Sequence, residues 1–202
     1  LVTFERIDPL YVLDLSTPTD PVIAGELMVT GFSDFLHPVS DQLLMGLGQD
    51  ENGLTKLELF NVENMSAPYS LGTVTLGLED GLISPDSLNW SYSEARYNRH
   101  AFTYQVISDT QDRFLVPATL SFYNEQSGYQ DEDRLYLFEI NDKNTALRAS
   151  INKVGYIMAK RNERWYSSRN RGVIDGDAVY YINDSSVWST QWSNPTQQEG
   201  PL

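Results

Sequence analysis

An all-β fold is predicted by three features of the sequence: a strand pattern that recurs, turn signals suited to hairpins between the copies, and no sustained helical periodicity. The pattern is Leu10-Tyr-Val-Leu-Asp14-Leu15, echoed by Leu57-Glu-Leu-Phe-Asn61-Val62 and by Leu135-Tyr-Leu-Phe-Glu139-Ile140. Each copy is an apolar alternation that ends in an acid or amide followed by an aliphatic residue. Asp14 and Asn61 stand 47 residues apart, as do Pro21 and Pro68, and Gly25 and Gly72. The next interval, Asn61 to Glu139, is 78 residues; it pairs Gly77 with Gly155 and contains an insertion. A period of roughly 40 to 50 residues marks a propeller or a solenoid, because one unit cannot bury its apolar face alone. With four strands per period, the units read as antiparallel blades of a β-propeller.

In chain order, Leu1 to Phe4 and Tyr11 to Leu15 read as the second and third strands of a first blade. Ser16-Thr17-Pro18-Thr19-Asp20-Pro21 forms the turn before its fourth strand, since these residues initiate turns and proline lacks a ladder N–H. Asp34 to Val39 is the innermost strand of the second blade, followed by Leu43 to Gly48, a tight turn at Asn52-Gly53, and Lys56 to Val62. Arg99 to Ile107 is innermost in the third blade; Arg113 to Phe122 then leads into a polar loop, Tyr123 to Asp133, before Arg134 to Ile140. Ile151 to Arg164 comes nearest to a helix, but it holds Gly155 and β-branched residues and bridges two blades. Ser168 to Ile174, Ala178 to Asn183 and Ser186 to Trp192 are three strands of a fourth blade, and 194–202 reads as a disordered tail. The blade units are 1–31, 32–78, 93–155 and 165–193. They make about three and a half blades, short of the roughly four that close a ring, so a fragment of a larger propeller is expected. The start at Leu1 rather than Met points the same way. A two-sheet sandwich would not demand that third and fourth strands repeat one turn with the same Pro and Gly.

Composition narrows the function classes. Hydrophobic residues at 41% and aromatics at 12% support a packed core. A formal charge of −14 argues against nucleic acid or anionic membrane as a general partner, because both repel such a surface. No apolar run approaches the ~20 residues of a membrane span, so no direct membrane insertion is expected. With no cysteine there is no disulfide, thiol nucleophile or thiolate metal site.

A resemblance enters with Leu1-Val-Thr-Phe, Asp8-Pro-Leu-Tyr-Val-Leu-Asp14-Leu15-Ser16, Gly25-Glu-Leu27, Gly31-Phe-Ser-Asp-Phe-Leu-His37-Pro38, and Ser93-Glu-Ala95 followed by Tyr97 and Ala101-Phe102. Together these segments resemble the exported bacterial and archaeal proteins that carry a C-terminal β-propeller domain. The resemblance implies a propeller distantly related to WD40 repeats, of no established activity, in a secreted, cell-surface or periplasmic protein. Where that family commonly reads Tyr-Asp-His-Lys-Ala-Phe, this chain has Tyr97-Asn98-Arg99-His100-Ala101-Phe102. On a strand, a shift of one position changes face, so the family's histidine is not carried over to His100.

Several residue groups bear on chemistry. His37 and His100 both fall on expected innermost strands, which invites metal or acid/base roles; without carboxylates at ligand spacing, hydrogen bonding between blades accounts for them. Half of the 14 Lys and Arg residues cluster at two equivalent places: Arg96 and Arg99, then Lys160, Arg161, Arg164, Arg169 and Arg171. With Trp90, Tyr92, Trp165 and Tyr166 as aromatic neighbours, they outline a basic pocket at a channel mouth for an anionic small molecule or glycan. The competing account pairs these arginines with Asp and Glu between blades. Acidic clusters at Asp50-Glu51-Asn52, Asp131-Glu132-Asp133, Asp175-Gly176-Asp177 and Asn183-Asp184 read as solvated turns, with Ca²⁺ as the alternative. No cofactor is otherwise implied. Gly-x-Ser-x-Gly, phosphate-loop and zinc-helix signatures are absent. The expected function is a non-enzymatic interaction module that binds a protein, peptide or glycan at its loops or channel mouth. The alternatives are a hydrolase or lyase acting there, and an assembly domain that self-associates through incomplete end blades.

Overall fold

The computed structural model describes residues 7–79, 81, 83–159 and 169–202. Among them, four antiparallel sheets lie in two compact units, 1–75 with 142–151 and 76–141 with 152–202. The expected first strand, Leu1 to Phe4, lies outside the described residues. Among the described residues no helix is long and apolar enough to cross a membrane.

In the first unit, β1 (Ile7–Asp14) and β2 (Val22–Thr30) form a hairpin. A four-stranded meander follows, made of β3 (Phe32–Ser40), β4 (Leu43–Gln49), β5 (Thr55–Asn61) and β6 (Tyr69–Thr75). The repeat seen in the sequence is a repeated backbone irregularity. Val12 pairs with Gly25 but Leu13 with Ile23; 47 residues on, Leu59 pairs with Gly72 but Phe60 with Ser70. In both hairpins one residue is inserted next to the glycine, Ala24 in one and Leu71 in the other, so the outer strand bends at the same place. Leu10, Val29 and Phe60 are buried together, with Leu27, Leu36, Leu44 and Val62 packed around them. β5 is buried throughout, Lys56 and Glu58 included. Their charges are paired with each other, Nζ to Oε2 at 2.7 Å, and Nζ also donates to the Thr30 carbonyl.

The second unit holds β7 (Leu88–Tyr92), β8 (Thr103–Val106), β9 (Gln111–Asn124), β10 (Gly128–Asn141) and β11 (Ser150–Ala159) in one sheet, ordered β11-β10-β9-β7 with β8 also on β9. β12 (Asn170–Asp175), β13 (Ala178–Asn183), β14 (Ser186–Gln191) and β15 (Asn194–Glu199) form a second, in sequential order. Leu115, Leu135, Leu137 and Ile157 of one sheet pack on Val179, Tyr181, Trp188 and Trp192 of the other. Ile151 to Ala159 is strand rather than helix, its β-branched residues and glycine prevailing.

Four expectations are corrected. The polar segment Tyr123 to Asp133 is not a loop: β9 and β10 pair without interruption from Gln111 opposite Asn141 to Asn124 opposite Gly128. The inserted length therefore extends a hairpin, and Asp131-Glu132-Asp133 lies on a strand, with Asp133 fully buried. Gly77 and Gly155 are not equivalent: Gly77 follows β6 with φ of +100°, whereas Gly155 lies inside β11 against Pro195. β10 runs past Glu139 to Asn141 before the 142–149 turn, which breaks the spacing. The disordered tail is a fourth strand, β15. It escapes sequence patterning because NPTQQE has no apolar face; its ladder and side-chain bonds hold it. Thr190 Oγ1 donates to the carbonyls of Asn194 and Gln197, and the Gln198 carboxamide bonds both the N–H and the carbonyl of Met158 on β11. The fourth correction, the third innermost strand, shapes the site.

Candidate functional site

At the edge of the β9–β10 sheet, where the sequence predicts one innermost strand, there is no single strand over Arg99 to Ile107. β7 pairs with the distal half of β9, Leu88 opposite Phe122 to Tyr92 opposite Thr119, and β8 with the proximal half, Thr103 opposite Leu115 to Val106 opposite Asp112. Between them the chain leaves the sheet in two short 3-10 turns, η1 (Glu94–Arg96) and η2 (Arg99–Ala101). The gap falls at Val116-Pro117-Ala118 of β9, where proline has no N–H to offer a ladder partner. Its carbonyl instead accepts from Ser93 Oγ at 2.6 Å, and the same hydroxyl caps η1 by accepting from Ala95 N–H. Asn98 caps η2 through the His100 N–H at 3.1 Å.

Glu94 ties this excursion to the next sheet. Its Oε2 accepts the Asn170 N–H at 2.9 Å, and its Oε1 accepts from Arg171 Nη1 and Asn98 Nδ2, both at 2.7 Å. Burial alone would raise its pKa, but these hydrogen bonds and the Arg171 charge outweigh it and hold the carboxyl below the usual range. Behind it, Asn170 Oδ1 accepts from Tyr181 Oη and Asn183 Nδ2, each at 2.8 Å. Asn183 Nδ2 also reaches Asp133 Oδ2 at 3.1 Å, while Thr119 Oγ1 donates to Asp133 Oδ1 at 2.6 Å. A buried polar chain thus joins β9, β10, β12 and β13, with Thr103 Oγ1 donating to the Gly172 carbonyl beside it.

On this frame stands a cationic and aromatic surface. Tyr97 is 67% exposed and stacks on Tyr92, ring centroids 6.2 Å apart. The buried Arg96 guanidinium sits 5.0 Å from the Tyr97 ring centre. Arg99 and His100 are exposed on η2, which packs against β12, and Arg169 is exposed just before β12.

Of the residues singled out in the sequence, Arg96, Arg99 and His100 come together on the excursion. Arg171 joins it as an ion-pair partner of Glu94, and Trp90 is half-buried on β7. His37 sits elsewhere, half-buried on β3 opposite Met45 in the first unit. Trp165, Tyr166, Lys160, Arg161 and Arg164 lie outside the described residues. His100 is in a 3-10 turn, so strand alternation does not set its direction. Glu94, Tyr97 and Asn170 are additions from the structure, for which the capping residues Ser93 and Asn98 were the available signals; Asn183, expected in a solvated turn, is instead buried at the end of β13. Asp50 Oδ1 caps its own turn, and Asp177 accepts from Ser193. Among the described residues no three His, Asp or Glu side chains gather as a metal ligand set.

Antiparallel meanders of strands in sequential order are what a blade looks like, and the profile of the β-propeller domain family matches residues 1–195. The chain belongs to the β-propeller domain family. The uncharacterized protein MJ1554 of Methanocaldococcus jannaschii is 32% identical over 133 residues, which are 66% of this propeller chain and 18% of that protein. An uncharacterized protein of Archaeoglobus fulgidus is 33% identical over 123 residues, 61% of this chain and 17% of that one. The propeller chain thus spans less than a fifth of the length of these curated relatives. No solved structure matches it.

Proposed function

We propose that this propeller domain is a non-enzymatic interaction module of an exported protein, and that its η1–η2 excursion binds an anionic group presented by a peptide or glycan. The observation that carries this reading is the exposed Tyr97-Arg99-His100 surface on a frame fixed by the Glu94–Arg171 pair. In a chain with 28 acids against 14 Lys and Arg, exposed Arg99 on η2 and Arg169 just before β12, the strand η2 packs on, are a local exception that focuses anions, and the tyrosine rings add stacking area. Because Glu94 is neutralised by Arg171, the positive charge of Arg99 is not cancelled by the nearest acid of the excursion. The export assignment rests on the resemblance to exported propeller proteins.

The test is fluorescence anisotropy of the 202-residue protein with labelled oligoglutamate and with heparin fragments. Arg99→Ala and Arg169→Ala are expected each to weaken binding by about tenfold, the scale of a charge-assisted hydrogen bond, and added salt to weaken the unmodified protein. Equal binding by these variants, or none by the unmodified protein, rejects this surface.

A further inference from the structure

We propose that the tip of the β9–β10 hairpin is a binding site for neutral carbohydrate. Tyr123 and Tyr129 stand directly opposite each other across the hairpin, ring centroids 5.4 Å apart and 70° between planes. They are 47% and 76% exposed, so their ring faces contribute little to the core. The tip that carries them is braced twice. Asn124 Oδ1 accepts the N–H groups of Gln126 and Ser127 and holds the turn, and the Tyr123 N–H donates to the Ser87 carbonyl at 2.8 Å. That second bond ties the hairpin to the 83–87 segment, itself turned by Ser87 and Leu88 N–H groups on the Ser84 carbonyl.

Between hairpin and segment runs a groove of about 530 Å³, within the range of small-ligand sites. Ser84, Ser87, Asn124, Glu125 and Gln126 line it beside Tyr123, and Tyr129, outside the lining, extends the aromatic surface through its contact with Tyr123. The lining offers hydroxyl, amide and carboxylate groups and no cation, so it does not select an anion, and Glu125 repels one. Exposed, fixed aromatic rings beside planar amides suit a molecule with an apolar C–H face and a rim of hydroxyls that both donate and accept. A saccharide without charge has that combination. Tyrosine supplies the contact at low entropic cost, having few rotatable bonds to immobilise. The site shares no residue with the η1–η2 surface.

Affinity electrophoresis of the 202-residue protein in gels containing dextran, mannan, soluble starch or hydroxyethylcellulose tests the site, with amide chemical shifts of 122–130 followed during titration with the matching oligosaccharide. At least one neutral polysaccharide is expected to retard the protein and to shift the tip amides. Tyr129→Ala should weaken retardation about tenfold, the size of one aromatic contact, while Tyr129→Phe retains most of it and Arg99→Ala all of it. Tyr129 is exposed, so its removal leaves the thermal midpoint in place and the comparison clean. Retardation by no neutral polysaccharide, retardation unaffected by Tyr129→Ala, or a protein partner captured through Tyr129 in place of sugar each overturns the proposal. Loss of oligoglutamate binding in Arg99→Ala with sugar binding intact separates failure of one surface from failure of the other.

Discussion

Glu94 is the residue on which the candidate site turns, because it accepts from the excursion and from the next sheet at once. Its carboxyl is held low when folded, so the folded protein binds that proton less readily than the unfolded chain. The stabilisation is therefore complete above the ordinary glutamate value of about 4.3 and fades as pH falls through the lower folded value. Glu94→Gln keeps shape but loses the charge: its deficit in stability is expected to be largest near neutral pH and to shrink in acid. Urea denaturation of both proteins at pH 7 and pH 3 measures this, and a deficit that grows in acid contradicts it. Arg171 was legible in the sequence as a cation that pairs with an acid between blades. Its partner was not, because Glu94 lies 77 positions away and only the fold brings the two together.

Between elements, the two bulged hairpins share a sequence signature and differ in what surrounds it. A Cβ at Gly25 would stand 2.1 Å from the Met65 carbonyl oxygen, whereas a Cβ at Gly72 would meet nothing within 4 Å. Gly25→Ala is expected to lose about 2 kcal/mol, as backbone must move. Gly72→Ala is expected to be neutral or to gain up to ~1 kcal/mol by restricting the unfolded chain. Thermal unfolding of the two variants should rank them clearly, and equal midpoints would show that the contact is not limiting. The 3-10 excursion was missed for a related reason. Thr103 to Val106 is a true strand, and Ala101-Phe102 just before it continue its apolar character. What interrupts the ladder is Pro117 on the neighbouring strand, which no reading along the excursion itself reveals.

At the scale of the whole molecule, β1 has a partner on one side only among the described residues, and Leu13, Val22, Ile23 and Met28 of its sheet are exposed. A strand edge without a partner and with apolar residues beside it is a template for another strand. We predict that the 202-residue chain self-associates as its concentration rises, and that Val12→Pro, which deforms this strand, reduces it. Light scattering that reports a strict monomer for the unmodified chain at high concentration would count against this. The surplus of acid opposes close approach, so association should strengthen with added salt while anion binding at η1–η2 weakens.

The sequence by itself determined the all-β class, the repeated hairpins of the first two blades with their Pro and Gly punctuation, and the clustering of basic residues in two stretches. These are local or periodic properties, and period 2, turn chemistry and spacing report them directly. Only the tertiary structure decided that a polar stretch extends a hairpin and lifts two tyrosines to its tip, that NPTQQE pairs as a strand, and that the innermost strand opens at Pro117. In each case the deciding partner is a backbone group or side chain on another strand. A hydrogen-bond ladder accepts any residue with a free N–H and carbonyl, so the sequence of the strand alone leaves no trace of the pairing.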